Sequence, residues 1–344
     1  MKESIPMKRI NTFLLVLGVL AMIAPRIHAQ VGLKKIAQST MNFLTVSVSP
    51  KASAMGEAFC AVGNGAESIF FNPAGIVESD NTFDLKMYAT QWIADINYMA
   101  GALAWNAGKY GSIGLSVLTV DYGSIRWTSL ISASERELYP LGYKDNGQIS
   151  NVGAYSFGLT YGRAISTQFL IGGNMRLVGQ NLGQSLLSNG MKDNNAAKLV
   201  FDAGVKYFTS LRSIRFGMAI RNFSTNIKRE EIEEQLPVLF TMGIALDLFD
   251  IVAPKRSANQ ALMLAVDFLH PNNYSERMNI GLEYKLFDKV ALRGGYQTNQ
   301  DIASWSAGLG VNSSIGGKHF EFDYSYSNFD IFDGVNRLAV GIAF

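Results

Sequence analysis

Long stretches of this chain alternate, residue by residue, between an oily and a polar side chain, and no other feature limits its fold so tightly. Within 318–327, Phe320, Phe322, Tyr324 and Tyr326 fall on one side; His319, Glu321, Asp323 and Ser325 fall on the other. Segments 277–286 and 214–221 repeat the pattern with Met278, Ile280, Leu282, Tyr284, and with Ile214, Phe216, Met218, Ile220. A helix would return its apolar residues every three or four positions, whereas successive strand side chains point to opposite faces. Fourteen such segments can be counted, from 82–90 to 335–344, and the even number suits a bacterial single-chain barrel.

Alternation alone does not separate a water-soluble sandwich from a membrane barrel, so the two faces decide. A sandwich shows water a face rich in Lys, Glu and Thr. Here the polar face is rich in Gly, Ala and Ser with isolated charges, while the apolar face is large and aromatic. Charged residues are only 17 % of the chain, against about 25 % in soluble domains. Most segments reach the roughly 9–11 residues a tilted strand needs to cross a bilayer. Connection lengths agree: 107–110, 164–167, 209–212 and 287–288 are short, whereas 123–149, 182–197 and 224–237 are long and fall on the opposite side. Only 250–259 is a long connection on the short side. These features predict an all-β, 14-stranded antiparallel transmembrane β-barrel over 82–344. The last strand alternates to a terminal Phe344, which resembles the insertion signal of outer-membrane barrels.

The first thirty residues read as an address. Met7-Lys8-Arg9 precedes a twelve-residue apolar run at 13–24, too short to span a bilayer, and Ala29 supplies a small residue for cleavage. Residues 1–29 are therefore expected to be a signal peptide, which places the remainder in the outer membrane of a Gram-negative bacterium. Residues 30–81 do not alternate and are rich in small side chains. Ser49-Pro50 reads as a helix cap followed by a first-turn proline. A segment this long and this small is expected to be an N-terminal luminal plug of short helices.

Within it, Ala54-Met55-Gly56-Glu57-Ala58-Phe59 is followed by Phe70-Phe71-Asn72-Pro73-Ala74-Gly75. Together these motifs resemble the PorV/PorQ family of outer-membrane proteins, whose architecture is similar to that of the FadL fatty-acid transporters. The plug motif comprises Ala54, Met55, Gly56, Phe59, Phe71, Asn72, Pro73, Ala74 and Gly75. The resemblance implies a fourteen-stranded barrel with a plug and, for PorV, a part in type IX secretion through binding of secreted cargo or other secretion-system components at the cell surface. By position, Pro73 biases Asn72 towards an extended backbone, and Gly75 is expected to let the plug approach the wall closely.

Inward charges include Arg176, Asp202, Arg215, Arg221, Glu283, Arg293, Glu321 and Asp323. Their near balance predicts ion pairs bracing the lumen, because a buried charge is tolerated when paired. Outer loops offer Trp127, Tyr139 and Tyr143, and Ile227, Ile232 and Leu236 at the spacing of a short helix, as partner-binding candidates. No enzyme constellation emerges. His270 and His319 lack an evident Ser and acid, the lone Cys60 excludes an internal disulfide, and no metal or cofactor motif is found. A net charge of +2 gives no nucleic-acid footprint. The expected partners are outer-membrane lipid and either secreted proteins or a hydrophobic small molecule. A FadL-like transporter would show an apolar luminal cavity and a lateral gap in a strand. A hydrolase would show Ser or Asp bonded to His270 or His319.

Overall fold

Hydrocarbon offers no water to backbone N–H and C=O groups, so strands that cross it must pair around a closed ring. The computed structural model describes residues 39–344 except 80, 150, 151, 188, 189, 229–232, 253–258 and 301. The signal-peptide region 1–29 and Ile232 lie outside the described residues. Fourteen antiparallel strands form a closed barrel. They are β1 (Phe83–Gln91), β2 (Asn97–Asn106), β3 (Ser112–Asp121), β4 (Gly153–Ala164), β5 (Phe169–Leu187), β6 (Gly190–Phe208) and β7 (Arg215–Phe223). The circuit continues with β8 (Leu239–Asp247), β9 (Gln260–Pro271), β10 (Arg277–Leu286), β11 (Val290–Gln297), β12 (Trp305–Ile315), β13 (Lys318–Phe329) and β14 (Phe332–Ala343). Every neighbour in the ring is also a neighbour in sequence, except that β14 returns to β1, pairing Asp84 with Ala343 through Gln91 with Asn336.

The two faces divide as the alternation requires. Outward side chains stay bare, with Met99 65 %, Met87 60 % and Val340 58 % exposed, while inward neighbours such as Ala102, Thr160 and Ser325 are buried. Large apolar side chains facing outward around a closed ring are the lipid face of an outer-membrane barrel. Rings mark its margins. Phe83 stacks near Trp105 and Phe344 at the short-turn end, and Trp305 meets Tyr326 at the other.

Three loops differ from expectation. The described residues of 182–197, read as an outer loop, are strand: β5 and β6 are 19 residues each and stay paired to Leu187–Gly190, so this ribbon runs on past its neighbours. Beyond the bilayer both faces meet water, so the oily alternation that marks a strand disappears there. Loop 123–149 contains a second ribbon, Arg126–Leu130 against Tyr143–Gln148, tied by an exposed Arg126–Asp145 ion pair of 2.6 Å. The short helix expected over 227–236 is instead a ribbon of Ile227–Lys228 with Glu233–Glu234. Ile227 and Leu236 turn inward, each 2 % exposed, against Met41, Phe43 and Leu44. Burying these two side chains outweighs the helical spacing, because a short exposed helix is marginal by itself. The long connection after β8 begins with a helical turn, Leu248–Val252.

Candidate functional site: the plugged lumen

The plug is a chain of tight turns that winds along the inside of the wall. Its α-helical turn among the described residues, α1 (Pro50–Ala54), starts as its sequence dictates: the Ser49 hydroxyl accepts from Ala52 N at 3.1 Å, and Pro50 fills the first turn. Gly56 follows with φ +61°, a conformation that glycine adopts freely. A Cβ on Gly56 would lie 2.7 Å from Tyr296 N and 3.0 Å from Ile280 O, so the turn rests directly on β10 and β11. The wall answers with glycines of its own. Gly281 and Gly295 face the Met55–Gly56 backbone, Gly217 and Gly243 face Cys60 and Ala61, and Gly172 and Gly204 face Asn72 and Pro73. Farther round, Gly114 and Gly162 receive the Ile76 side chain. Most of these inward glycines are thus seats where the plug backbone docks on the wall. Gly75 is a correction: a Cβ there would strike the Gly63 carbonyl within the plug, not the wall.

Asn72 is the best-connected residue of the second motif. It is extended at φ −140°, accepts from Ala74 N at 3.2 Å, and donates from Nδ2 to Cys60 O at 3.0 Å and Val205 O at 3.1 Å. The residue thereby ties two plug turns to β6. Phe59 and Phe71 meet edge to face at 5.0 Å beneath it. Burial, with Asp267 alongside, pushes the Cys60 thiol well above its ordinary value, which leaves it inert.

Wall side chains latch the plug through its backbone. Asp267 Oδ2 accepts from Phe59 N and Cys60 N, both at 2.8 Å, and Asp84 Oδ2 accepts from Ala66 N at 2.8 Å. Arg221 donates to Phe70 O at 2.7 Å, Arg337 to Ser47 O at 2.9 Å and Lys206 to Gly63 O at 2.9 Å. The expected bracing by ion pairs holds for part of the set. Arg293 bridges Glu283 at 2.6 Å and Asp323 at 2.5 Å, Arg176 pairs with Asp202 at 2.7 Å, and Glu321 pairs with Lys86. Arg215 and Arg221 depart from it. Neither forms an ion pair with a described residue; Arg215 instead reaches Met263 Sδ at 3.0 Å. Lys86 went unnoticed in the sequence, although it alternates with Asp84 and Tyr88 on the inward face.

The lumen is layered. Towards the short-turn end it holds the Glu283–Arg293–Asp323, Lys86–Glu321 and Lys206–Glu78 pairs. Towards the long-loop end, on β1 to β6, it is apolar: Tyr88, Tyr98, Leu118, Val120, Val178 and Val200 point inward and are buried. Trp92 roofs this part, packed on Tyr98 at 6.2 Å and Phe329 at 4.9 Å. Arg221 and Arg337 lie beside the apolar layer, at Phe70 and Trp92, and Arg277 stacks near Tyr274; none of the three has an ion-pair partner among the described residues. At the rim, where β3 ends and the β5–β6 ribbon runs on, a notch of about 690 Å³ is bordered by inward Val120 and Ala154 and by outward Tyr155 and Ala197. The ring of strands is closed, with a register shift at Phe201–Ala203 between β6 and β7, and no gap within a strand is found among the described residues.

The loop candidates do not gather into one surface. Tyr143 is exposed, and Trp127 and Tyr139 are half-buried on loop 123–149, whereas Ile227 and Leu236 belong to the luminal core. His270 meets Glu276 at 3.2 Å in solvent. His319 Nδ1 lies 2.8 Å from Ser314 Oγ across the β12–β13 ribbon, but no described carboxylate hydrogen-bonds that imidazole. The pair lacks the third group that orients a catalytic base.

No family model matches the chain, and no curated protein matches it. Solved structures do. The chain is similar to the Ralstonia pickettii toluene transporter TbuX, at 14 % identity over 86 % of this chain and 96 % of that one, TM-score 0.52. It is similar to the CymD monoaromatic hydrocarbon channel, at 11 % identity over 87 % and 98 %, TM-score 0.53. A Pseudomonas aeruginosa FadL homologue aligns at 11 % identity over 86 % and 97 %, TM-score 0.48. Identities this low speak for the fold alone, a closed barrel similar to those of TbuX and CymD. The PorV/PorQ resemblance and its secretion partners gain no support from these structures.

Proposed function

We propose that this barrel admits hydrophobic small molecules across the outer membrane, with an anionic amphiphile such as a long-chain fatty acid as its ligand class. The observation that carries the reading is the layered lumen: an apolar, aromatic layer packed against the plug, together with arginines that have no carboxylate partner among the described residues. The tail of an amphiphile would lie among Tyr88, Tyr98, Leu118 and Val200, and its head would face Arg277. The Arg277 Nε lacks a hydrogen-bond partner, and its guanidinium stacks 5.5 Å from the Tyr274 ring. The TbuX and CymD structures are described as a toluene transporter and a monoaromatic hydrocarbon channel, which supports the hydrophobic class and leaves the head group to this chain's own residues.

Arg277 is the cleanest residue to vary, since Arg221 and Arg337 also hold the plug. Vesicles carrying the protein should take up both oleate and toluene faster than vesicles without it. Arg277→Gln should slow oleate by about tenfold, the worth of one charge-assisted contact, and leave toluene unchanged. Equal uptake with and without the protein would remove the transport reading; equal slowing of both ligands would remove the head-group assignment.

A further inference from the structure

On the outward face of the β5–β6 ribbon, the side chains change character over a short height. Met175, Leu177, Leu199 and Phe201 are lipid-facing and exposed. Next come Gly179 and Ala197, with the Tyr155 ring lying over Gly179. Above them the same face carries Asn181 and Asn195, then Gln184 and Asp193. An aromatic ring capping an apolar band marks the level of the lipid headgroups. Immediately above that level, the 123–149 loop leans against the ribbon and encloses a cleft of about 350 Å³.

Six side chains give the cleft its chemistry: Trp127, Gln148, Asn181, Gln184, Asp193 and Asn195. Four of them are carboxamides, each both donor and acceptor, and none is Lys, Arg, His or Cys. With one carboxylate and no cationic side chain, that set lacks the positive charge a phosphate calls for, and no cluster of three metal-ligating residues lies among the described residues. The set suits a neutral ligand dense in hydroxyls, each of which also donates and accepts. Part of the set is already fixed in place: Gln184 donates to Asp193 at 2.7 Å, and Gln148 to Ser124 at 2.7 Å. The Asn195 amide and the Trp127 indole N–H have no hydrogen-bond partner among the described residues. An indole adds a flat apolar surface for the C–H face of a sugar ring. The volume lies within the usual range of ligand clefts, about 300–1,000 Å³.

We infer that this cleft binds a neutral saccharide, and that its place on the membrane-facing side of the ribbon directs it to sugar units of the glycolipid in the surrounding outer leaflet. This inference is independent of what passes through the lumen.

Calorimetric titration of the full-length protein in detergent tests it, using two probes: a lipid-free neutral core oligosaccharide from lipopolysaccharide, and maltotetraose. Saturable binding of the core oligosaccharide, weakened about tenfold or more by Trp127→Ala and by Asn195→Ala, is the expected result. Leu130→Ala, on the same loop ribbon and 93 % exposed, should leave the affinity unchanged. Unaltered heat-modifiable migration of each variant shows that the barrel is intact. Binding of maltotetraose alone would keep the saccharide site but overturn its assignment to the glycolipid. No binding of either probe, or binding indifferent to both substitutions, would overturn the site itself.

Discussion

Gly295→Val should dislodge the plug and convert a closed barrel into a conducting one. Gly295 faces the lumen, and a Cβ there would overlap the Gly56 nitrogen and the Met55 carbonyl carbon. Ordinary overpacking costs about 1–3 kcal/mol because side chains can shift. Here both partners are backbone, and Gly56 is itself held in a left-handed turn at φ +61°. The cost therefore exceeds that range, and the plug is the part free to move, since the wall is locked by ladder hydrogen bonds on both sides of β11. The neighbouring residue provides the control. Gly294 points to lipid, with nothing within 4 Å of a Cβ placed there, so Gly294→Val should leave the barrel closed. Conductance across planar bilayers distinguishes the two. A Gly295→Val barrel that conducts no more than its Gly294→Val neighbour would show that the glycine seats do not hold the plug.

Asp267 should be the most costly single latch to lose. Its carboxylate is 1 % exposed and accepts two plug amides, Phe59 N and Cys60 N. Asp267→Ala leaves both donors buried without a partner, at about 1–3 kcal/mol each, or roughly 2–6 kcal/mol together. Asp267→Asn retains an acceptor oxygen and should lose much less. Hydrogen exchange at the Phe59 and Cys60 amides is the direct measurement: faster by two or more orders of magnitude in the alanine variant, and close to wild type in the asparagine variant. Equal protection in all three proteins would mean that Asp267 does not hold the plug.

The two experiments probe different physics at one contact surface. Gly295 reports on shape and Asp267 on hydrogen bonding, and their sites lie on different strands, β11 and β9. The plug's small residues also acquire a purpose. Ala54, Ala58 and Ala74 are fully buried, and side chains this small let backbone meet backbone closely enough for a carboxylate such as Asp267 to reach two successive amides.

The barrel was legible in the sequence because its cause is local. A strand in a membrane must alternate, so Phe320 to Tyr326, or Met278 to Tyr284, declare their faces one residue at a time. Strand number, the side of the long loops and the outward aromatics followed from that rule. So did the Ser49–Pro50 cap and the extended Asn72, which depend only on immediate neighbours. The rest depends on residues far apart in the chain. Gly217, Gly243, Gly281 and Gly295 sit on the inward phase of their strands, and only the wound plug reveals what docks on each of them. Arg221 and Arg293 look alike as inward charges, yet one holds a plug carbonyl and the other two carboxylates. Ile227 and Leu236 have helical spacing but close the lumen instead, because the core that buries them is assembled from the plug and seven strands. Sequence alone determined which side of each strand meets lipid, since that choice is made residue by residue. Only the tertiary structure decided how the inside is filled, because burial and charge pairing in the lumen join residues up to 290 positions apart, as Arg337 and Ser47 are.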